Sequence, residues 1–385
     1  MNSLSPGTDW SRRDYMRLFA GGASVAALAQ MPSAALAAPA AAASKRLTLA
    51  QCQQLSPLDM AKSSRLAVAA YQFLQKSARE IENTKLRQMV TSSLQNPAPT
   101  ILERYRSDAD KQKVRQQLID AKLLAPEITI SQLFPPASGP AQAPQPFLGT
   151  PGSGYGSHHA YPGGLGMHVA LNVRSSLGLY AGYSETNGFK LSRDVILAAQ
   201  LLHDIHKPWI FQWQADGSPL TEYHVAGTGD HHILSIAESI HRGVPAEVIV
   251  ALASAHDNPG AEEEKTVGYI KAAAIIAGRD PVEAGLLATS GNTVVVPRRI
   301  EGFVVFLGDH EWVVSVPAAE WAVSQLQEIA VRDYGMTDAD MKTAKFNALR
   351  NYVFSQISII GLHERQVVGG KDAVRAAVNA LVAPV

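Results

Sequence analysis

The sequence places two ionisable residues, His203 and Asp204, directly behind an apolar helical run, Val195-Ile196-Leu197-Ala198-Ala199 with Leu201-Leu202. A helix this apolar packs into a core, so the pair at its end must be buried and needs partners, because an unpaired polar group away from water is costly. The arrangement recurs along the chain. Gly163-Gly164-Leu165-Gly166-Met167-His168 opens another apolar helix, Asp230-His231-His232 begins one, His256-Asp257 ends one, and Phe306-Leu307-Gly308-Asp309-His310 places a carboxylate behind an apolar stretch. Eleven of the 12 histidines fall between His158 and His310, leaving only His363 outside. A single His-Asp pair at a helix C-terminus is adequately explained by the helix dipole. A series of such pairs, each at an apolar helix end, calls for convergence on a shared partner, and neutral imidazole is the commonest protein ligand for metal ions.

The rest of the chain sets the frame. It has 385 residues, 46% hydrophobic and 18% charged, with a formal net charge of zero. That composition fills a core and gives no bulk attraction to nucleic acid or a membrane surface. The single cysteine, Cys52, excludes an intramolecular disulfide and a cysteine-rich zinc site. Leu49-Ala50-Gln51 ahead of it only half matches a lipoprotein cleavage box, so Cys52 reads as an ordinary unpaired thiol.

At the N-terminus, Ser11-Arg12-Arg13-Asp14-Tyr15-Met16-Arg17 precedes a Gly- and Ala-rich apolar run to about Met31 and a small-residue site at Ala35-Leu36-Ala37. This is the pattern of a secretory signal, and the paired arginines resemble the twin-arginine signal, which implies the Tat translocation machinery as a partner and a periplasmic or otherwise exported protein. Residues 1–37 are accordingly set aside as a signal peptide. Residues 38–54 read as an Ala-rich, disordered lead-in, and the helical pattern begins at Leu58 and runs to about Leu124, with Ser56-Pro57 as a start signal and Pro97 and Pro99 as breaks. Seven prolines and five glycines between 125 and 157 mark a linker or wrapping arm. Helices return at about 164–183, 193–206, 230–242, 245–256, 267–278, 301–312, 318–333 and 371–382, with Ser192 as an N-cap. The expected class is all-α: a helical N-terminal region (38–124), the linker (125–157), a metal-binding domain (158–335) and a C-terminal helical extension (336–385).

On Ser157-His158-His159-Ala160-Tyr161-Pro162-Gly163-Gly164-Leu165, His168 and Leu202-His203-Asp204-Ile205-x-Lys207, the chain resembles the HD metal-dependent phosphohydrolase superfamily over about residues 155–315. The style is closest to the bacterial HD-domain exoribonucleases. The resemblance implies one metal held by His168, His203, Asp204 and a late Asp, which is Asp309 or alternatively Asp257. A second metal would take His232 and His256, with His231 as the rival of His232 and Asp204 bridging. His206 stands where the family usually has Gly, His256 is followed by Asp257 rather than His, and the β-barrel nucleic-acid-binding domain of the exoribonucleases is missing, which favours a small phosphoester over RNA. Nitrogen and oxygen ligation suits one or two divalent transition ions, Mn, Fe, Co, Ni or Zn. The expected activity is a metal-dependent phosphohydrolase or phosphodiesterase. Asp204 would serve the metal-activated water, Lys207 would steady a phosphate oxygen, and His158 and His159 would orient substrate or protonate a leaving group. Two alternatives use the same ligands: an HD-type di-iron oxygenase, and a non-catalytic metal-binding module of the envelope. Trp209, Phe211 and Trp213 are open to two readings, pocket wall or core.

Overall fold

The computed structural model describes residues 46–296 and 300–385. The signal-like segment at 1–37 lies outside the described residues. The fold is all-α, as expected of an HD-type domain. In chain order the helices are α1 (Leu49–Gln54), α2 (Pro57–Ser63), α3 (Arg65–Arg79), α4 (Thr84–Gln95), α5 (Asp108–Asp120), α6 (Ile130–Leu133), α7 (Gly164–Asn187), α8 (Arg193–Leu202), α9 (Lys207–Ile210), α10 (Asp230–His241), α11 (Ala246–Ala253), α12 (Glu263–Ala277), α13 (Glu301–Gly308), α14 (Trp312–Tyr334), α15 (Ala344–Ile357) and α16 (Ile359–Leu381). Strand is confined, among the described residues, to two-residue pieces. Of these, β1 (Leu47–Thr48) pairs in parallel with β4 (Val382–Ala383), and β2 (His224–Val225) pairs antiparallel with β3 (Thr228–Gly229).

Local chemistry accounts for several boundaries. Ser56 caps α2 with Pro57 in the first turn, and Ser192 Oγ accepts from the Val195 N–H to start α8. The lead-in expected to be disordered is ordered from residue 46 on. Thr48 and Gln51 form a capping box on α1, and Leu49 and Cys52 are buried. The helices expected at about 301–312 and 318–333 are divided differently in the structure. The break falls at Asp309–Glu311, and α14 runs through Pro317, whose missing N–H costs a single bond beside the exposed Val313 and Val314.

Two apolar cores result. The larger joins α3–α6 to α7, α8 and α10–α13, with Leu74, Leu94, Ile101, Leu165, Leu201 and Ile270 all buried. The smaller joins α1 and α2 to α14–α16 through Cys52, Met60, Leu326, Phe346, Phe354 and Val378. The Pro/Gly-rich stretch behaves as an arm: Leu133, Phe134 and Phe147 anchor it in the larger core, and Trp209 Nε1 and Trp213 Nε1 donate to the carbonyls of Pro135 and Gly149. Around the site α7 packs on α8 and α13, and α11 packs on α8, α10 and α13. The tightest approach depends on Gly308, where a Cβ would collide with Ser176 Oγ of α7. With no side chain there, α13 closes on α7 and α8 and delivers Asp309 from its end.

Candidate metal centre

Each ligand-type side chain arrives at a helix end or helix start. His168 lies in the second turn of α7. That helix begins at Gly163, whose φ of 85° is left-handed, and at Gly164, where a Cβ would collide with the His159 carbonyl. The glycine pair therefore lets the 150–162 loop fold back over the start of α7. His203 and Asp204 follow α8, His231 is in the first turn of α10, His256 follows α11, and Asp309 ends α13.

These groups converge. Asp204 Oδ2 is 3.1 Å from His168 Nε2 and 3.3 Å from His203 Nε2, while Asp204 Oδ1 is 3.4 Å from His231 Nε2. Asp309 repeats the pattern: Oδ1 is 3.2 Å from His168 Nε2 and 3.3 Å from His203 Nε2, and Oδ2 is 3.7 Å from His256 Nε2. Three groups with ligand spacing occur among the described residues, His168/His203/Asp309, Asp204/His231/His256 and Glu222/Asp230/His231, and the first two meet at the aspartates. Both aspartates touch both sets of histidines.

The histidines are oriented for ligation. His203 Nδ1–H donates to the Gln200 carbonyl at 2.8 Å, His231 Nδ1–H to Glu222 Oε2 at 2.6 Å, and His256 Nδ1 meets Thr228 Oγ1 at 3.0 Å. In each case the distal nitrogen faces the carboxylates, the arrangement that partners of metal-bound histidine impose. His203 Nε2, His231 Nε2 and Asp204 Oδ1 are buried without a hydrogen bond. Buried acceptors left in this way cost free energy unless protons or a cation fill the space between them. The electrostatics agree. Burial disfavours a charged His203, yet Asp204 and Asp309 overcome it and push its pKa up to about 10. Burial likewise works against ionised Asp204 and Asp309, and the imidazoles, joined by Lys207 for Asp204, hold both well below the usual carboxylate range. A field that favours positive charge at this point favours a metal ion equally, so the His/Asp clusters fit a divalent cation.

Placement of the other expected residues is as follows. Of the adjacent pair on α10, His231 joins the ligand-spaced groups, while His232 turns its Nε2 to the Ala253 carbonyl at 3.3 Å and stacks on His256 with ring centroids 3.9 Å apart. Of the two late aspartates, Asp309 is in the cluster and Asp257 pairs with Lys265 at 2.9 Å and accepts from Tyr269. Lys207 Nζ sits 2.6 Å from Asp204 Oδ2 and donates to the Gly152 carbonyl at 2.7 Å, so two of its three N–H groups are committed before any phosphate arrives. His158 lines the adjoining cavity with Nδ1 3.0 Å from Ser157 Oγ, and burial, then His159 and His168, push its pKa down to about 2. His159 is buried in left-handed backbone (φ 51°), with Nε2 3.3 Å from Glu311 Oε2 and Nδ1 3.1 Å from the Tyr161 hydroxyl. Both its nitrogens are occupied away from the cavity. His206 likewise points elsewhere, with Nε2 3.2 Å from Glu238 Oε2.

The sequence reading missed four supporting residues. Asn172 Nδ2 donates to Asp309 Oδ1 at 2.6 Å; its position one turn after His168 on an apolar helix was the available signal. Glu222 lies in a loop and Thr228 in the two-residue β3 before α10, and Gln200 acts through its backbone, so their sequence positions gave no hint. The cavity over the site, about 600 Å³, is lined by polar residues that include His158, Lys207, His231 and Asp309 and by Tyr155, Phe211, Leu220 and Trp312. Phe211 thus meets both readings, lining the pocket while buried in the larger core, and Trp209 belongs to the core.

No family model matches the chain, and neither does any solved structure. One stretch of 99 residues is 36% identical to a curated protein of Methanocaldococcus jannaschii named dihydroneopterin 2',3'-cyclic phosphate phosphodiesterase. The match covers 26% of this chain and 39% of that protein, so the chain spans about two fifths of its relative's length. Over that stretch, which is short of either whole protein, the chain is similar to a phosphodiesterase.

Proposed function

We propose that this protein is a metal-dependent hydrolase of a small phosphodiester, carried out at the His/Asp centre. The observation that carries the reading is the double contact of Asp204 and Asp309 with both histidine groups, at the floor of a cavity large enough for a small molecule. His168, His203 and Asp309 would hold one ion, His231 and His256 a second, with Asp204 between them. When bound, such ions supply Lewis acidity toward the phosphoryl oxygens and acidify water. The chain's own residues do the rest. Lys207 balances the charge of Asp204 and keeps it aimed. His158, which lines the cavity, would orient a phosphoryl oxygen or exchange a proton with the leaving group. Phe211 and Trp312 keep the organic side of the cavity apolar. The similarity to a protein named for a cyclic phosphodiester supports a diester substrate.

The test is hydrolysis of bis(4-nitrophenyl) phosphate by purified protein. Turnover is expected, lost on chelation, restored by a divalent transition ion, and absent from His203→Ala and Asp204→Asn. Absence of turnover from metal-replete protein over a broad panel of phosphodiesters would overturn the reading.

We also propose export by the twin-arginine route. Replacing Arg12 and Arg13 together by Lys should retain the protein in the cytoplasm; unchanged fractionation would contradict this.

A further inference from the structure

We propose that Tyr155 is the specificity-determining residue of this site, a platform for a flat, unsaturated group on the phosphoester, held in place by α15 from outside the ligand-bearing helices. The inference deepens the phosphodiesterase reading and rests on it for the identity of the anionic end. Tyr155 lines the cavity and keeps 36% of its surface exposed, and Trp312, another lining residue, is 44% exposed. Aromatic surface left open on the wall of a cavity that His158, Lys207 and Asp309 also line suits a ligand with an anionic end and a stacking end.

The support beneath Tyr155 is unusual. Arg350 of α15 is fully buried and pairs with no carboxylate among the described residues. Its guanidinium donates to the Tyr155 carbonyl at 2.8 Å and to the Ala160 carbonyl at 2.6 Å, and it lies 4.5 Å from the centre of the Tyr155 ring. The Tyr155 hydroxyl donates to Asn347 Oδ1 of the same helix. Asn347 and Asn351 also donate to the carbonyls of Asp216 and Gly217, in the loop leading to Pro219, Leu220 and Glu222 on the cavity wall. One helix thus fixes both lips of the cavity. A buried guanidinium without a counter-ion is expensive; here Nη1 and Nη2 each donate to the loop that carries the platform, Nη1 also to Asn351 Oδ1, while Nε has no partner. Arg350 and Asn347 are positioning residues.

The experiment uses metal-loaded full-length protein and two non-hydrolysable probes, phenylphosphonate and methylphosphonate, measured by calorimetry. The wild type should prefer the phenyl probe, and Tyr155→Ala should lower phenylphosphonate affinity about 10-fold while leaving methylphosphonate binding in place. Arg350→Lys, or Asn347→Ala should that variant not fold, should reduce the phenyl-to-methyl ratio in the same direction, a ratio that a purely structural role would not move. An equal loss of both probes in Tyr155→Ala, no wild-type preference, or a ratio unmoved by the α15 variants would overturn the inference. A wild type that prefers the phenyl probe yet never cleaves bis(4-nitrophenyl) phosphate would sink the phosphodiesterase reading and leave this one standing.

Discussion

Glu222 Oε2 lies 2.6 Å from His231 Nδ1, and that contact decides which nitrogen His231 turns toward Asp204. With the Nδ1 proton held by a carboxylate, Nε2 keeps its lone pair for a ligand. Glu222→Gln should therefore weaken metal binding by about 10- to 100-fold. Competition with a calibrated chelator measures it, and an affinity equal to wild type would show that Glu222 does not orient the ligand.

The adjacent histidines of α10 should separate cleanly. His231→Ala is expected to lower the number of bound metal ions per chain, because it removes the nitrogen that faces Asp204. His232→Ala is expected to keep that number and lower the unfolding midpoint, because His232 is buried, stacked on His256 and held neutral by burial with a pKa of about 3. Elemental analysis beside thermal denaturation distinguishes the two. Metal loss confined to the His232 variant would reverse the assignment.

Glu238 should leave a mark on acid stability. Burial works against its charge, but His206, Arg242 and Thr100 overcome this and hold its pKa at about 2, against an ordinary 4.5. A carboxylate depressed in the folded state stabilises above its unfolded pKa, and that contribution is lost as pH falls through the folded one. Wild-type protein should thus lose stability between about pH 4.5 and 2 through this group. Glu238→Gln should be less stable at neutral pH and show a shallower decline across that window in urea titrations at successive pH values. Parallel curves for the two proteins would exclude Glu238 as a contributor.

Cys52 should be silent in the folded protein. It is fully buried, and desolvation pushes its thiol up to about 12. The thiolate is the reactive form, so alkylation at pH 8 should proceed only as fast as the chain unfolds. Rapid labelling of folded protein would show that the α1 region opens on its own.

Much of the candidate site was legible because burying an ionisable residue behind an apolar helix leaves few outcomes. His168, His203, Asp204 and Asp309 all announced themselves in that way. What stayed hidden needed three dimensions. Choosing between His231 and His232 requires the rotational phase of α10 about its axis, which the adjacent pair cannot reveal. The choice between Asp309 and Asp257 was decided by Lys265 and Tyr269, which draw Asp257 outward. Glu222 sits in a loop with no periodicity to read. The role of α15 was invisible because Arg350, Asn347 and Asn351 act through backbone carbonyls far away in the chain, and carbonyls carry no side-chain signature. Composition misled at α1, where an Ala-rich approach masked the Thr48–Gln51 box and the burial of Leu49 and Cys52.

The pairing of β1 with β4 has a mechanical consequence. Leu47 and Thr48 lie in parallel register with Val382 and Ala383, so the folded body is fastened where its first and last described elements meet. In a parallel pair, tension applied at the start of one strand and the end of the other runs along both strands in opposite senses. The ladder is then loaded in shear, its bonds sharing the force instead of parting one after another. A pull on the two ends would meet this clasp before it reached any helix that brings a side chain to the His/Asp cluster.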